Sequence, residues 1–259
     1  MHCYVKENFL DRDVLKSIKT TVDWFIEERI NLYPIRKVID GRLVSLEYEE
    51  HNQPIEYLTD LSNLEQDTPS VRIENPLLNI PELVDVVFNK DLYNEIKTNF
   101  QLIPTIEYVK IVRHFPNKYL NMVNEWHYDN FGEKGIRVAV IYLDDIQNIE
   151  DGPYACVENS DKNKISNERS IFSDNEVEDY YNKEAFKPVF GNMGDVIFSK
   201  GNILHKSIKP SAKERTVLII NFETNISPDR TKDKIKLNWQ DWYKIPVGKK
   251  ELAYNMEII

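Results

Sequence analysis

Three residues of this chain have the types and spacing of a metal site: His127 and Asp129 in EWHYDNFG, and His205 in GDVIFSKGNILHKSIKP. Two imidazoles and one carboxylate are the ligand set of a facial iron site, which occupies one face of an octahedral Fe(II) and leaves the other open. The open positions can take a chelating 2-oxo acid and dioxygen. Ten residues beyond His205 comes Arg215, at the head of the apolar run TVLIINF. A guanidinium pairs bidentately with a carboxylate. Arg215 can therefore hold the far carboxylate of 2-oxoglutarate, with the Ser207 hydroxyl donating to the same group.

Residues two apart on a strand point to one face, so a single ion can take both His127 and Asp129. The same spacing relates His205 and Ser207. An antiparallel return over the following residues is expected to bring Arg215 back beside His205. Alone, a His-x-Asp pair is a weak signal; its place between strand-like segments strengthens it. The other histidines, His2, His51 and His114, read as surface or structural residues. Cys3 and Cys156 do not indicate a disulfide framework, and Cys156 reads as a buried small apolar residue.

The elements that must position these groups fall into two regions of one domain, residues 1–259, with no repeat or linker dividing it. Residues 1–105 read as a largely helical region. CYVKENFL resembles a short strand, and Asp11 or Asp13 can cap the helix that follows. In that helix Val14, Leu15, Ile18, Val22, Phe25 and Ile30 recur at three- and four-residue steps, the mark of an amphipathic face. Trp24 and Phe25 are expected in the core. A second helix is expected from Pro81 to about residue 100, broken near Asn89. Between the two helices, residues 31–78 suggest short strands and loops.

Residues 106–225 read as strands. TIEYVKIVRHF alternates, and IRVAVIYLDD is a near-continuous apolar run that suits a strand buried on both faces. GPYACVEN, KPVFGN, GDVIFSK and RTVLIINFET follow, separated by turn signals such as Asp151-Gly152-Pro153. Such a series predicts a sandwich or jelly roll. Residues 158–187 form a polar insertion with a short helix near 174–185, read equally as a lid or as a solvated decoration. In the tail, 226–259, Trp239, Trp242 and Tyr243 are expected to pack back on the domain.

A formal charge of −10 and a pI near 5.1 argue against nucleic acid or an anionic membrane as partner. The N-terminal segment lacks a signal-peptide pattern, and no apolar run is long enough to span a membrane. The expected location is the cytoplasm, and oligomeric state is not readable.

From WHYDNFG through VIYLDD, DGPYACVENS and GNMGDVIFSKGNILHKS to ERTVLIINF, the chain resembles the phytanoyl-CoA dioxygenase family of the Fe(II)/2-oxoglutarate oxygenase superfamily. The resemblance implies a double-stranded β-helix, mainly β with helical cover. It also implies His127, Asp129 and His205 as catalytic iron ligands, and Arg215 and Ser207 as the 2-oxoglutarate site. The chain departs from the family at Glu158-Asn159-Ser160-Asp161, where many members have Pro-Gly-Ser-His. Lys110 or Arg113 is a further candidate for the co-substrate. Related halogenases carry Gly or Ala at the position of Asp129, so the carboxylate here favours hydroxylation.

The expected activity is hydroxylation of an aliphatic C–H bond in a small polar metabolite, amino acid or biosynthetic intermediate, using Fe(II), 2-oxoglutarate and O2. Trp126, Asn130 and Arg137 are candidate substrate contacts, with Tyr128 and Tyr142 near them. One alternative is desaturation, cyclisation or epimerisation at the same iron. Another is a non-enzymatic cupin-type binding module, which would have no need of the Arg215 and Ser207 pair.

Overall fold

The computed structural model describes residues 3–34, 36–39, 41–45, 61–100, 105–129, 137–223, 235–246 and 256–259. Its first strands are β1 (Cys3–Lys6), β2 (Leu32–Pro34), β3 (Arg36–Ile39), β4 (Arg42–Ser45) and β5 (Ser70–Ile73). Next come β6 (Thr105–His114), β7 (Trp126–His127), β8 (Arg137–Tyr142), β9 (Tyr154–Val157), β10 (Ile171–Phe172) and β11 (Phe186–Val189). The last are β12 (Val196–Lys200), β13 (His205–Ser207), β14 (Arg215–Glu223), β15 (Ile235–Leu237) and β16 (Met256–Ile258). The helices are α1 (Arg12–Glu27), α2 (Leu64–Asp67), α3 (Pro76–Asn79), α4 (Leu83–Val87), α5 (Lys90–Phe100), α6 (Asp174–Tyr180) and α7 (Trp239–Lys244).

Two antiparallel sheets pack face to face. The larger runs β1-β12-β8-β14-β6-β5-β2 and the smaller β10-β7-β13-β9-β11. Strands β8, β12 and β14 read as unbroken apolar runs because both of their faces are covered. Ala139, Ile141, Phe198, Leu218, Ile220 and Phe222 turn outward to meet α1, α4 and α5. Val138, Val140, Ile197 and Val217 turn inward toward Tyr154 and Cys156 of the smaller sheet. Each such buried Val, Leu, Ile or Phe stabilises the fold by about 1.5–3 kcal/mol. Strands β1, β2 and β5 all come from the first hundred residues, so that region builds one edge and one flank of the larger sheet as well as its helical cover.

Asp11 caps α1 by accepting from the backbone N–H of Asp13 and Val14. Phe25 is buried, but Trp24 is 50% exposed, contrary to expectation: it sits off the stripe formed by Leu15, Ile18, Val22 and Phe25. The second helical segment is split at Asn89, whose side chain accepts from the N–H groups of Asp91 and Leu92 and caps α5. It begins at Leu83, two residues after Pro81. In the tail, Trp242 packs against the main core, whereas Trp239 and Tyr243 are exposed. No described helix is long and apolar enough to cross a membrane.

The segment 158–187 contributes β10, which pairs with β7 so that Ile171 lies opposite His127. It also contributes α6, capped by Ser173 and Glu176 in a reciprocal box.

Candidate active site

His127 and His205 are held by the smaller sheet. They are directly opposed across the β7–β13 pair, with ring centroids 4.4 Å apart. Asp129 lies just past β7, and its backbone N–H is tied to the Gly201 carbonyl at 3.0 Å. Its two carboxylate oxygens face the two Nε2 atoms, 3.7 Å from His127 and 3.5 Å from His205. Ligand atoms from the three residues all lie within 4.8 Å of one another. Cis ligands about 2.1 Å from a common ion lie about 3 Å apart, so small side-chain rotations would bring all three onto one ion.

Backbone carbonyls set the imidazole tautomers. His127 Nδ1 is 2.8 Å from the Glu125 carbonyl and His205 Nδ1 is 2.9 Å from that of Ile203. A carbonyl can only accept, so each Nδ1 carries the proton and each Nε2 lone pair points toward Asp129. Burial, reinforced by the neighbouring His205, holds the His127 pKa down at about 4. The imidazole is therefore neutral and ready to ligate at neutral pH.

These groups open onto a cavity of about 270 Å³. Its floor is the inner face of the larger sheet, ordered by strand register into rows. Arg215 opposes His114 at one end. Val217 opposes Val112 and Tyr142 in the next row. Ile219 then opposes Lys110 and Val140, and Tyr108 with Val138 lies beyond.

Arg215 is 2% exposed. It donates to the Ser207 hydroxyl and, at 3.4 Å, to the Ile208 carbonyl. Its Nε has no partner, and among the described residues no carboxylate lies within ion-pair distance of it. The charges it feels are those of Tyr142 and Asp144, and the Asp144 carboxylate is engaged elsewhere, accepting from the Thr216 N–H and pairing with Lys19 at 3.5 Å. Burial lowers the guanidinium pKa to about 10, which leaves it charged at neutral pH. A buried cation without a carboxylate in ion-pair contact is costly, and a bound anion lowers that cost.

Arg215 does not return beside His205 as an antiparallel neighbour. His205 pairs with His127 and Cys156 in the smaller sheet, while Arg215 opens β14 in the larger one. The chain between them changes sheets, so Arg215 meets Ser207 across the gap. Gly152 makes that crossover possible. A Cβ there would lie 2.6 Å from Pro210 N and 2.7 Å from the Ile208 carbonyl.

Other expected site residues are placed differently. Trp126 and Tyr128 point away from the cavity into the cluster under 158–187, because the alternation that aims 127 and 129 inward aims 126 and 128 outward. Asn130 and the Arg137 side chain lie outside the described residues. Tyr142 lines the cavity, as does Lys110, whereas Arg113 turns out to the Asp23 carboxylate on α1. His114, read as surface or structural, lies 4% exposed in the cavity floor. Tyr108, Arg36 and Tyr154 also line the cavity and were not anticipated. Tyr154 stacks on the His205 ring at 5.4 Å and its hydroxyl meets that of Ser199 at 2.9 Å.

No protein-family model matches the chain, and no curated protein sequence matches it significantly. Solved structures do resemble it. HygX from Streptomyces hygroscopicus, with nickel and 2-oxoglutarate bound, superposes with a TM-score of 0.55 at 13% identity, over 87% of this chain and 84% of that one. AviO1 from Streptomyces viridochromogenes Tue57 gives 0.55 at 16% identity, over 88% and 91%. SnoK, a non-heme α-ketoglutarate-dependent carbocyclase from nogalamycin biosynthesis, gives 0.58 at 13% identity, over 86% and 79%. What they share with this chain is the fold.

Proposed function

We propose that this chain is an Fe(II)- and 2-oxoglutarate-dependent oxygenase on a double-stranded β-helix, hydroxylating an aliphatic C–H bond of a small polar molecule. The observation that carries the reading is one cavity with complementary ends. His127, Asp129 and His205 supply a facial donor set on one wall. Arg215, a buried cation with no carboxylate partner, faces the same space. HygX with nickel and 2-oxoglutarate bound has a similar fold, which supports the same assignment.

In this reading His127, Asp129 and His205 would hold the metal through two imidazole nitrogens and a carboxylate oxygen. Arg215 and Ser207 receive the distal carboxylate of 2-oxoglutarate, and Tyr154 fixes the His205 ring. The apolar rows of Val112, Val140 and Val217 exclude water from the reacting bond. Bound iron and 2-oxoglutarate supply oxidation of a C–H bond, with succinate and carbon dioxide as co-products. Asp129 would supply a third protein ligand where related halogenases leave room for a halide, which favours hydroxylation.

The test is an anaerobic titration of metal-free protein with Fe(II) and then 2-oxoglutarate. A weak visible charge-transfer band, lost in His205→Ala, is expected. Iron binding without the band would overturn the reading. Once a substrate is in hand, product mass separates outcomes: gain of one oxygen means hydroxylation, and loss of two hydrogens means desaturation or ring closure.

A further inference from the structure

Two cations besides Arg215 line the cavity, Lys110 and Arg36. Lys110 lies four residues along β6 from His114, the partner of Arg215, which at about 3.3 Å per residue separates the two rows by roughly 13 Å. The carboxylate carbons of 2-oxoglutarate are about 5 Å apart by bond lengths alone. Arg215 reaches across to Ser207 and the Lys110 ammonium leans the other way, onto Tyr108, so one 2-oxoglutarate does not bridge the two.

Lys110 is not alone there. Its ammonium sits 4.5 Å from the Tyr108 ring centroid, which braces the side chain against the cavity floor. Tyr108 feels the Asp129 charge, which places this row on the metal side of the cavity. Arg36, from the β3–β4 hairpin, lines the same cavity. Its Nη1 is anchored on the Leu120 carbonyl at 2.9 Å, and Nη2 makes no hydrogen bond among the described residues. Val138, Val140 and Ile219 form an apolar strip beside them.

We propose that the substrate carries a carboxylate or phosphate group held by Lys110 and Arg36, with its hydrocarbon portion on the strip of Val138, Val140 and Ile219. This deepens the oxygenase reading and rests on it. The two cations also reject amines by like-charge repulsion, so polyamine-bearing molecules are disfavoured.

The test uses protein loaded with Mn(II), a paramagnetic stand-in for Fe(II), and 2-oxoglutarate. Acetate, methylphosphonate and methylammonium are added in turn, and broadening of each methyl proton signal is read. At least one anion should be broadened and methylammonium should not; the stronger anion tells carboxylate from phosphate. Lys110→Met combined with Arg36→Met should reduce the broadening at least five-fold, and Lys110→Arg should retain it, at matched manganese content. No broadening by either anion, equal broadening by methylammonium, or anion broadening that survives in the double variant would overturn the proposal. Failure of the oxygenase reading shows separately, as loss of the Fe(II)–2-oxoglutarate band in the wild-type protein.

Discussion

Ser207 and Arg215 stand eight residues apart on opposite sheets, and the Arg215 guanidinium donates to the Ser207 hydroxyl across the gap between them. Two sheets thus converge on one buried cation. Arg215→Lys keeps the charge but loses the planar fork, and should raise the apparent Kd for 2-oxoglutarate by 10- to 100-fold, or about 1.4–2.8 kcal/mol. Ser207→Ala should raise it only several-fold. Isothermal titration with metal-loaded protein checks both. An unchanged affinity in Arg215→Lys would remove Arg215 from the co-substrate site.

His127, Asp129 and His205 are the only described residues that form such a donor cluster. Replacing any one by Ala should lower Fe(II) affinity by roughly 100-fold or more, beyond the effect of losing a residue that only supports a ligand. Metal content after dialysis and succinate release read this directly. A His205→Ala protein that retains full metal and full turnover would sink the assignment.

Much of this site was legible from two-residue counting. It joined His127 to Asp129, and the continuous apolar run at Arg137–Tyr142 foretold a strand covered on both faces. The same counting from Tyr108 through Lys110 and Val112 would have reached His114, but a single histidine before Phe-Pro carries no chemical pattern of its own. For Trp126, aromatic character outweighed the alternation that aims it outward. The crossover that separates Ser207 from Arg215 left no trace in spacing, because eight residues suffice either for a hairpin or for a change of sheet. Arg36 arrives from a polar segment without periodicity, and only tertiary packing brings it to the cavity.

The buried imidazoles predict an acid-sensitive apo protein. His114 is held well below its ordinary pKa by burial, aided by Arg215 and Lys209, and His127 is held at about 4. Unfolded, each titrates near 6.5, so between pH 6.5 and about 4 the unfolded chain binds more protons than the fold. Stability should therefore be lost as pH falls through that window, on the order of 2–3 kcal/mol from His127 alone. Melting temperatures of metal-free protein from pH 7.5 to 4.5 measure it. His114→Gln should flatten part of the decline, and an unaltered slope would mean that His114 does not take up a proton on unfolding.

Trp126 separates packing from catalysis. Its indole N–H donates to Asp174 at 2.7 Å, in the first turn of α6, and the Lys206 ammonium sits 4.9 Å over its ring while pairing with the same carboxylate. These contacts fasten segment 158–187 to the back of the strand that carries His127. Trp126→Phe keeps a ring but leaves Asp174 without its indole donor, which should cost about 1–2 kcal/mol and lower the melting temperature by several degrees. Turnover and the 2-oxoglutarate KM should stay near wild type, because the residue faces away from the cavity. Amide exchange should rise in residues 171–180, where the fastening is lost. A variant with unchanged melting and a large fall in turnover would instead place the indole at the substrate and require the 158–187 segment to be repositioned.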